Sequence, residues 1–442
     1  MKSMNIAIVG SGISGLSAAW LLSSRHRVTV FEAGPNPGGH ANTLDVSTPD
    51  GPVGVDTGFI VYNERNYPNL VALFDHLGVA SNETEMSFAL SFNRGTYEYA
   101  GSGMSGFFGQ RRNLASPRHW KLLGEISRFF RTAQSRIACY PEGTSLRSFL
   151  QNEAYSDAFV VDHIVPMGAA IWSTNMMDMQ DFPASSFVDF YANHGMLQFR
   201  RRPIWRTVKG GSRNYVNALI RDGGFEMICD TPVERITRND RYIYITDRNG
   251  VARMFDHVIL ATHADQALKL LNEPDALEEN LLSAFPYQKN RAVLHRDPRL
   301  LPRRRALWSS WNYMKNGDGF EADLSLTYWM NRLQRLPTQT DLFVTLNPTM
   351  EINAKAIDAV IDYDHPAFSA QTTRAQRELW SLQGRRRTWF CGSYFGFGFH
   401  EDGIQSGLAV AEQLGGVRRP WQVDNESARI PSAPTAIAEA AE

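Results

Sequence analysis

Three glycines near the start of the chain have the spacing of a phosphate-binding turn. Gly10, Gly12 and Gly15 form the pattern G-x-G-x-x-G, which permits a tight turn, close approach of a pyrophosphate and close packing of a helix on a strand. Glu32 lies 20 residues after Gly12, where a carboxylate can accept hydrogen bonds from a ribose diol. The spacing predicts a dinucleotide site whose contacts are Gly10, Ser11, Gly12, Ser14, Gly15, Glu32 and Ala33.

The residues around these glycines predict the elements that must hold them. Residues 6–9 and 28–31 are rich in β-branched and aromatic side chains, and residues 14–22 are apolar at helical spacing. A helix that begins at the glycines directs free N–H groups and partial positive charge toward a pyrophosphate. We therefore predict one strand, helix and strand unit at the start of the chain.

Composition limits the class of protein. A chain of 442 residues with 43% apolar residues exceeds one ordinary core, because domains average about 150 residues. The formal net charge of -1 gives no general attraction to nucleic acid. Three cysteines without a C-x-x-C pair support neither a disulfide framework nor a zinc site. We expect a cytoplasmic protein with no metal and no nucleic-acid partner.

Further motifs resemble the flavoprotein superfamily of amine oxidases, phytoene desaturases and protoporphyrinogen oxidases. They are "NPGGHANT", "GVDTGFIVY", "TPVERI" and "CGSYFGFGFHEDGIQSG". The sequence departs from the superfamily at His40, where arginine is common, and at Ser393, where an acid is usual. The resemblance implies non-covalent FAD, since no cysteine lies where covalent members carry one. The implied further contacts are Gly38, Gly39, His40, Gly58, Phe59, Val233, Gly392, Ser393, Gly403, Ile404 and Gln405.

The same resemblance implies an amine-oxidase-like fold of two domains, which combines α/β with α+β structure. Hairpin signals such as Asn249-Gly250 indicate where the cofactor domain resumes. We predict a Rossmann-like FAD-binding domain from residues 1–61, 205–290 and 389–423. Residues 62–204 and 291–388 form the interleaved, membrane-facing substrate domain. The small, polar residues 424–442 predict a disordered tail.

Four aromatic rings precede the last glycine-rich segment. A stretch rich in phenylalanine and poor in acids suits an uncharged hydrocarbon, although half of these rings could belong to the core. A helix that begins near Gly403 would stabilise negative charge on a reduced cofactor. The predicted substrate channel therefore contains Tyr394, Phe395, Phe397 and Phe399.

Two longer stretches carry a narrower resemblance. "DTGFIVYNERNYPNLVALFDHLGV" and "LHRDPRLLPRRRALWSSWNY" are similar to a bacterial group of FAD-binding proteins found alongside cyclopropane-fatty-acid-synthase-like methyltransferases. The resemblance implies an FAD-dependent desaturase of unsaturated, methyl-branched fatty acyl chains on phospholipids, with a functional link to a methyltransferase. A double-bond isomerase, an amine or amino-acid oxidase using Arg65 or Arg206, and a non-catalytic flavin-bearing partner remain alternatives.

A desaturase needs a group that accepts the proton. The candidates near cofactor motifs are Tyr62, Glu64, His400 and Glu401. Sequence alone does not rank them, because geometry decides which group reaches the proton. Glu401 could instead cap a helix.

A basic, aromatic segment lies in the first insertion. Aromatic and aliphatic residues recur there near helical spacing, which is typical both of an interfacial helix that binds anionic headgroups and of a solvated helix over a core. We expect peripheral contact with an anionic membrane, on the inner face of the cytoplasmic membrane. The basic residues are Arg111, Arg112, Arg118, Lys121, Arg128, Arg131 and Arg136.

Overall fold

The computed structural model describes residues 2–141, 143–172, 174–198, 203–317 and 319–431. The strands are β1 (Asn5–Val9), β2 (Arg27–Phe31), β3 (Thr43–Thr48), β4 (Gly51–Asp56), β5 (Tyr62–Asn63), β6 (Ser81–Thr84), β7 (Phe88–Phe92), β8 (Tyr97–Ala100), β9 (Trp205–Val208), β10 (Glu226–Ile228), β11 (Val233–Arg238), β12 (Ile243–Asp247), β13 (Ala252–Phe255), β14 (His257–Leu260), β15 (Tyr287–His295), β16 (Trp311–Asn316), β17 (Asp323–Trp329), β18 (Phe343–Leu346), β19 (Ile357–Pro366) and β20 (Thr388–Phe390). The helices are α1 (Ile13–Ser23), α2 (Pro68–Leu77), α3 (Gly103–Phe107), α4 (Pro117–Ile137), α5 (Leu146–Asn152), α6 (Asp157–Phe159), α7 (Val165–Ile171), α8 (Met176–Gln180), α9 (Ala184–Asn193), α10 (Arg213–Asp222), α11 (Ala264–Leu270), α12 (Ala276–Leu282), α13 (Met330–Leu333), α14 (Ala370–Leu379) and α15 (His400–Gly415).

A parallel sheet in the order β10-β2-β1-β14-β20 carries the glycine turn. β1 and β2 are almost entirely buried, as expected for parallel strands covered on both faces. The turn connects β1 to α1, so the predicted strand, helix and strand unit is confirmed. The predicted hairpin is also confirmed, because Asn249 and Gly250 lie between β12 and β13.

A second sheet supports the inserted segments. Its seven strands lie in the order β19-β15-β18-β17-β16-β7-β8. Side chains from this sheet pack with α4, α5, α7, α8 and α9 in a core separate from the one around the parallel sheet. The described residues therefore form two large hydrophobic cores, and each is assembled from segments distant in sequence.

The packing differs from the predicted domain boundaries in four places. The predicted boundary at residue 290 divides β15, which lies wholly in the seven-stranded sheet. α2 and α14, predicted in the substrate domain, contribute Leu70, Leu73 and Leu379 to the cofactor core. Hairpin β3–β4, predicted in the cofactor domain, packs Val46, Val53 and Val55 into the other core.

The predicted tail begins too early. Ile430 is buried against the cofactor core, and the N–H of Arg429 donates to Gln405 Oε1 at 3.2 Å. Residues 424–431 are therefore packed on the fold rather than disordered. Residues 432–442 of the predicted tail lie outside the described residues.

Helices α1 and α15 approach each other closely, and glycines make this possible. A Cβ on Gly407 would stand 2.2 Å from the carbonyl oxygen of Ser14, and one on Gly403 would stand 2.8 Å from Ile13 Cγ2. Both helices begin at the same edge of the parallel sheet. The absence of side chains at these positions of α15 thus brings two helix N-termini together.

We predict that Gly407→Ala lowers the urea midpoint of unfolding. The new methyl group would push α15 away from the α1 backbone, and such overpacking costs about 1–3 kcal/mol. Gly124→Ala is the matched control, because Gly124 lies in α4 with no atom within 4 Å of its added Cβ. That control should gain about 0.5–1 kcal/mol from helix propensity. Equal midpoints for the two variants would contradict the close contact.

Candidate flavin site

One continuous cavity of about 1260 Å³ is lined by residues of both cores. Small-molecule sites occupy roughly 300–1,000 Å³, so this cavity has room for a large cofactor and a second molecule. One part is lined by the glycine turn and the ends of the parallel strands. The other part is lined by aromatic side chains of the inserted segments.

The three glycines of the turn have different neighbours. A Cβ on Gly10, whose φ is +102°, would stand 2.8 Å from the carbonyl oxygen of Ala261, and one on Gly15 would stand 2.1 Å from Gly10 O. A Cβ on Gly12 would have no atom within 4 Å, and Gly12 lines the cavity. The first and third glycines therefore shape the turn, and the second leaves open space beside it.

That open space suits a pyrophosphate. Gly12, Ile13 and Ser14 line the cavity where α1 begins, and no side chain within the described ranges caps this helix. The first N–H groups of a helix lack intrahelical partners and attract anions. The residues present thus fit the phosphates of a dinucleotide.

Glu32 stands at the end of β2 beside the turn. Its carboxylate accepts from the N–H of Ser11 at 3.1 Å and of Gly34 at 2.9 Å, and from the Ser11 hydroxyl. These bonds fix its orientation at the cavity wall. Thr231, Pro232 and Val233 line the same region, so the second cofactor segment meets the first here, as predicted.

Most of the predicted cofactor contacts line the cavity, and four do not. Gly15 lies under the turn, and Gly38 donates its N–H to Ser11 O at 3.1 Å behind it. Ile404 and Gln405 are buried in α15 away from the cavity. The predicted contacts that line it are Gly10, Ser11, Gly12, Ser14, Glu32, Ala33, Gly39, His40, Gly58, Phe59, Val233, Gly392, Ser393 and Gly403.

The sequence patterns did not predict the group of rings that lies beside His40. The ring of His40 lies 5.0 Å from Tyr363, 5.3 Å from His365 and 6.2 Å from His263 between centroids. Tyr363 and His365 lie two residues apart on β19 of the seven-stranded sheet. This sheet therefore reaches the cofactor region. His40 Nε2 is buried without a hydrogen-bond partner in the described part of the chain, and burial holds the pKa of His40 well below its usual value.

Two of the predicted proton acceptors lie away from the cavity and have other partners. Glu64 is exposed and forms an ion pair with Arg206 at 2.8 Å. Tyr62 is buried against Tyr67 and Phe74, and burial raises its pKa. Neither side chain lines the cavity, so the structure does not support them as proton acceptors.

Glu401 has a structural position. Its carboxylate accepts from the N–H groups of Asn69 and Leu70 at 3.1 Å, from Asn69 Nδ2 at 2.8 Å and from Gln405 Nε2 at 3.0 Å. Asn69 and Leu70 are in the first turn of α2. Glu401 therefore caps a helix, as the alternative reading allowed, but the helix is α2 rather than its own.

His400 is the one predicted proton acceptor that lines the cavity. Its ring stacks on Phe59 at 3.8 Å, and its Nε2 shares a hydrogen bond of 2.6 Å with the Tyr215 hydroxyl. Burial lowers the pKa of His400 to about 3, so the imidazole is neutral near pH 7.

The predicted aromatic channel is divided between cavity and core. Tyr394 and Phe399 line the cavity, as does Phe397, which is 42% exposed. Phe395 is fully buried in the cofactor core and does not line the cavity. The spacing of the four rings could not show which of them faces inward, because they lie in an irregular turn before α15.

The remaining walls form what we call the aromatic chamber, which sequence patterns did not reveal. It is bounded mainly by α4, α7, α9 and the seven-stranded sheet. Its members are far apart in sequence and carry no motif. They are Phe88, Phe130, Met167, Ile171, Trp172, Phe190, Tyr191, Met196, Tyr313 and Tyr328.

Two neutral histidines line this chamber. His163 lies in a π-helical turn, Val160–Ile164, and its Nδ1 is 3.0 Å from the Tyr99 hydroxyl. His194 Nδ1 lies 2.9 Å from the carbonyl oxygen of Phe190, and its ring stacks on that side chain at 3.8 Å. Burial lowers the pKa of each to about 3.

A comparison with protein-family models identifies the family of this protein. The model of the flavin-containing amine oxidoreductase family matches residues 13–297, more than half of the chain. The chain belongs to this family. The cofactor of the flavoprotein is therefore FAD, as the motifs implied. A comparison with curated proteins gave no match.

Solved structures share the fold along nearly the whole flavoprotein. A fatty acid isomerase from P. acnes that produces CLA superposes with a TM-score of 0.64 and 14% identity, over 92% of this chain and 97% of that one. A candidate protoporphyrinogen oxidase from Exiguobacterium sp. 255-15 gives 0.68 and 15%, over 94% and 99%. Putrescine oxidase with bound putrescine gives 0.66 and 15%, over 93% and 99%. These identities show the fold alone, and they confirm the predicted amine-oxidase-like arrangement.

Other expectations can be set beside the described residues. None of the three cysteines lines the cavity, and non-covalent binding of FAD stays a prediction. No cluster of metal-ligating side chains occurs in the described ranges. Within those ranges, no helix has both the length and the hydropathy that crossing a bilayer requires.

We expect alanine substitutions at Gly12 and Gly15 to affect different properties of the protein. We expect Gly12→Ala to leave the melting temperature of the apoprotein nearly unchanged but to lower bound FAD, because its methyl group points into open cavity. Gly15→Ala should destabilise the apoprotein, because its methyl group meets Gly10 O. The ratio of flavin to protein absorbance and a thermal melt separate the two effects. Equal melting temperatures for the two variants would contradict these roles.

Glu401 should prove structural. Glu401→Ala leaves buried donors of α2 unpaired, which costs about 1–3 kcal/mol, and we expect a lower urea midpoint. Glu64→Ala is the control, since an exposed ion pair contributes about 0–1 kcal/mol. A Glu401→Ala protein of unchanged stability would rule out the capping role.

Proposed function

We propose that this flavoprotein is an FAD-dependent desaturase of fatty acyl chains. The observation that carries the proposal is the continuity of the cavity: it extends from the glycine turn into a chamber walled by aromatic and aliphatic side chains. A long apolar substrate could lie in that chamber with one end against the cofactor. Burial of its methylene groups supplies binding free energy of about 0.8 kcal/mol each.

The chamber favours an uncharged substrate. Burial keeps His163 and His194 neutral, and the same desolvation disfavours an ammonium ion. The carboxylates of Glu83 and Glu85, which could pair with an amine, belong to exposed residues at the cavity edge, and Glu85 is paired with Arg332. These features weigh against an amine oxidase.

An amino-acid oxidase needs a cation for the substrate carboxylate. Arg65 and Arg206 could have supplied it, but neither lines the cavity. Arg206 donates to Glu64 and to Ser81 instead. Arg332 is the only arginine lining the cavity among the described residues, and Glu85 already neutralises it.

Desaturation removes a hydride and a proton from adjacent carbons, and the electron pair of the second C–H bond becomes the new double bond. FAD supplies the hydride acceptor when bound, and dioxygen or another oxidant must restore it. The chain must supply the proton acceptor and hold the acyl chain away from water.

His194 is the best-placed proton acceptor. A carbonyl oxygen only accepts, so the contact to Phe190 requires the hydrogen of the neutral ring to be on Nδ1. Nε2 therefore keeps a lone pair. The His194 ring also lies 6.1 Å from the ring of Phe399. Phe399 directly precedes α15, the helix whose start lines the cofactor part of the cavity. His400 is the second candidate, although its Nε2 is shared with Tyr215.

The finer features of the substrate rest on the resemblance. Methyl branching, linkage to phospholipid and a functional link to a methyltransferase are part of the proposal for that reason. A double-bond isomerase is the second candidate, because the fatty acid isomerase from P. acnes has the same fold. An isomerase would return the hydride to another carbon and leave no net change in the cofactor.

Anaerobic bleaching of the flavin absorbance tests the proposal. We expect bleaching on addition of unsaturated and methyl-branched fatty acids or their phospholipids, and none with putrescine or other amines. Bleaching by amines alone would overturn the lipid assignment. Migration of the double bond without bleaching would identify an isomerase, and no reaction with either class would favour a non-catalytic flavin-bearing partner.

His194→Gln should lower the rate of bleaching by about 10²–10⁴-fold, the usual contribution of a general base. The flavin content should stay unchanged. His163→Gln is the matched control, because it removes a second neutral imidazole from the same chamber. Equal losses in the two variants would contradict a specific role for His194.

A further inference from the structure

A patch of apolar side chains is exposed on α3, the turn after it and the start of α4. Met104 is 58% exposed, Leu114 is 55% exposed and Trp120 is 48% exposed. The Trp120 ring lies 4.8 Å from the ring of Phe108, and its Nε1 donates to Leu114 O at 3.0 Å. These contacts make Phe108, Leu114 and Trp120 one continuous surface, with Met104 one helical turn from Phe108.

Unneutralised positive charge borders this patch. Arg111, Arg112 and Lys121 are exposed, and no carboxylate of the described residues pairs with them. Glu125 is the only acid between residues 103 and 131, and it accepts hydrogen bonds from Ser156. The surface is therefore both apolar and cationic.

Other basic residues of the segment are already engaged. Arg118 pairs with Asp162, and Arg136 pairs with Glu153. The guanidinium of Arg128 lies 3.9 Å from the centre of the Tyr155 ring. Arg131, farther along α4, is exposed and donates to the carbonyl oxygen of Ser127 at 3.2 Å. Arg111, Arg112 and Lys121 thus place positive charge beside the exposed apolar side chains, next to that of Arg131.

The cavity lining reaches the protein surface at the base of the same patch. Gly101 and Ser102 line the cavity and directly precede α3, and Ser102 is exposed. Ser87 and Phe88 line this part of the cavity as well. A molecule leaving the aromatic chamber here would emerge next to Met104.

We propose that Met104, Phe108, Arg111, Arg112, Leu114, Trp120 and Lys121 form a docking surface for an anionic lipid bilayer. Tryptophan and aliphatic side chains enter the headgroup boundary, and arginine and lysine pair with lipid phosphates. A second copy of the chain fits less well, because a two-fold contact would bring like charges together. Docking places the cavity lining at Gly101 and Ser102 beside the lipids. The surface stands apart from the proposed reaction, and its binding is measured without turnover.

Vesicle flotation of the holoprotein tests the docking surface. We expect binding to vesicles of phosphatidylcholine with phosphatidylglycerol, weak binding to phosphatidylcholine alone, and loss of binding at high salt. Arg111→Gln with Arg112→Gln should weaken binding about 10- to 30-fold, since each charge near an anionic membrane contributes roughly 1 kcal/mol. Met104→Ser with Trp120→Ser should weaken it at least as much.

Matched controls come from the cofactor domain. Val251 and Met254 are each 48% exposed on the hairpin of β12 and β13, and Arg235 and Arg241 are exposed nearby. Val251→Ser with Met254→Ser, and Arg235→Gln with Arg241→Gln, should leave vesicle binding unchanged. Equal losses in controls and test variants, or no binding by the unaltered protein, would overturn the proposal.

A separate readout keeps this proposal distinct from the desaturase proposal. Flavin bleaching by fatty acid dispersed in detergent should be the same in the docking variants and the unaltered protein, because the aromatic chamber is intact. If the protein binds vesicles but its flavin is never bleached, the docking proposal is supported and the desaturase proposal is wrong. Loss of self-association rather than of vesicle binding would assign the surface to a second copy.

Discussion

The cofactor site depends on how closely two helices approach each other. α1 and α15 begin at the cavity wall and meet where Gly407 faces the backbone of Ser14. A side chain at this contact would separate their N-termini, and the partial positive charges at those ends would no longer converge on one cleft. The glycine turn near the start of the chain and the glycine-rich segment near its end are both needed to bring the two helix N-termini together.

The acids near the cofactor motifs serve the framework. Glu401 holds α2, Asp402 accepts from Phe399 N–H at 2.7 Å, and Asp56 accepts from Thr43 and Ser212. Burial raises the pKa of Asp56 to about 6 despite those bonds. With these carboxylates committed, the deeper cavity walls are mainly aromatic and aliphatic side chains with neutral imidazoles, and Asp364 is a further carboxylate in the lining. This division supports the proposal of an apolar substrate.

Local patterns in the sequence were enough to predict the glycine turn, its flanking strands and helix, the Asn249-Gly250 hairpin and the family. Each of these depends on residues close together in the chain. The aromatic chamber was not predictable, because Phe190, Tyr313 and Trp172 meet only through tertiary packing. Proximity in sequence was misleading for Glu401 and Phe395. His400 and Glu401 are consecutive in the first turn of α15, yet only His400 lines the cavity. The domain boundary at residue 290 was misplaced because β15 continues unbroken through it.

Four imidazoles meet around one wall of the cavity: His40, His263, His365 and His400. Desolvation is the largest cause of the lowered pKa of each, and for His40 the other three add to it. The pKa of His365 falls to about 4 and that of His400 to about 3, whereas an unfolded histidine titrates near ~6.5. Below that pH these histidines bind protons in the unfolded chain but stay neutral in the folded chain. Their contribution to folding stability therefore declines as the solution becomes more acidic. The desolvation that keeps charge out of the site therefore makes these histidines a destabilising influence that grows as pH falls below ~6.5.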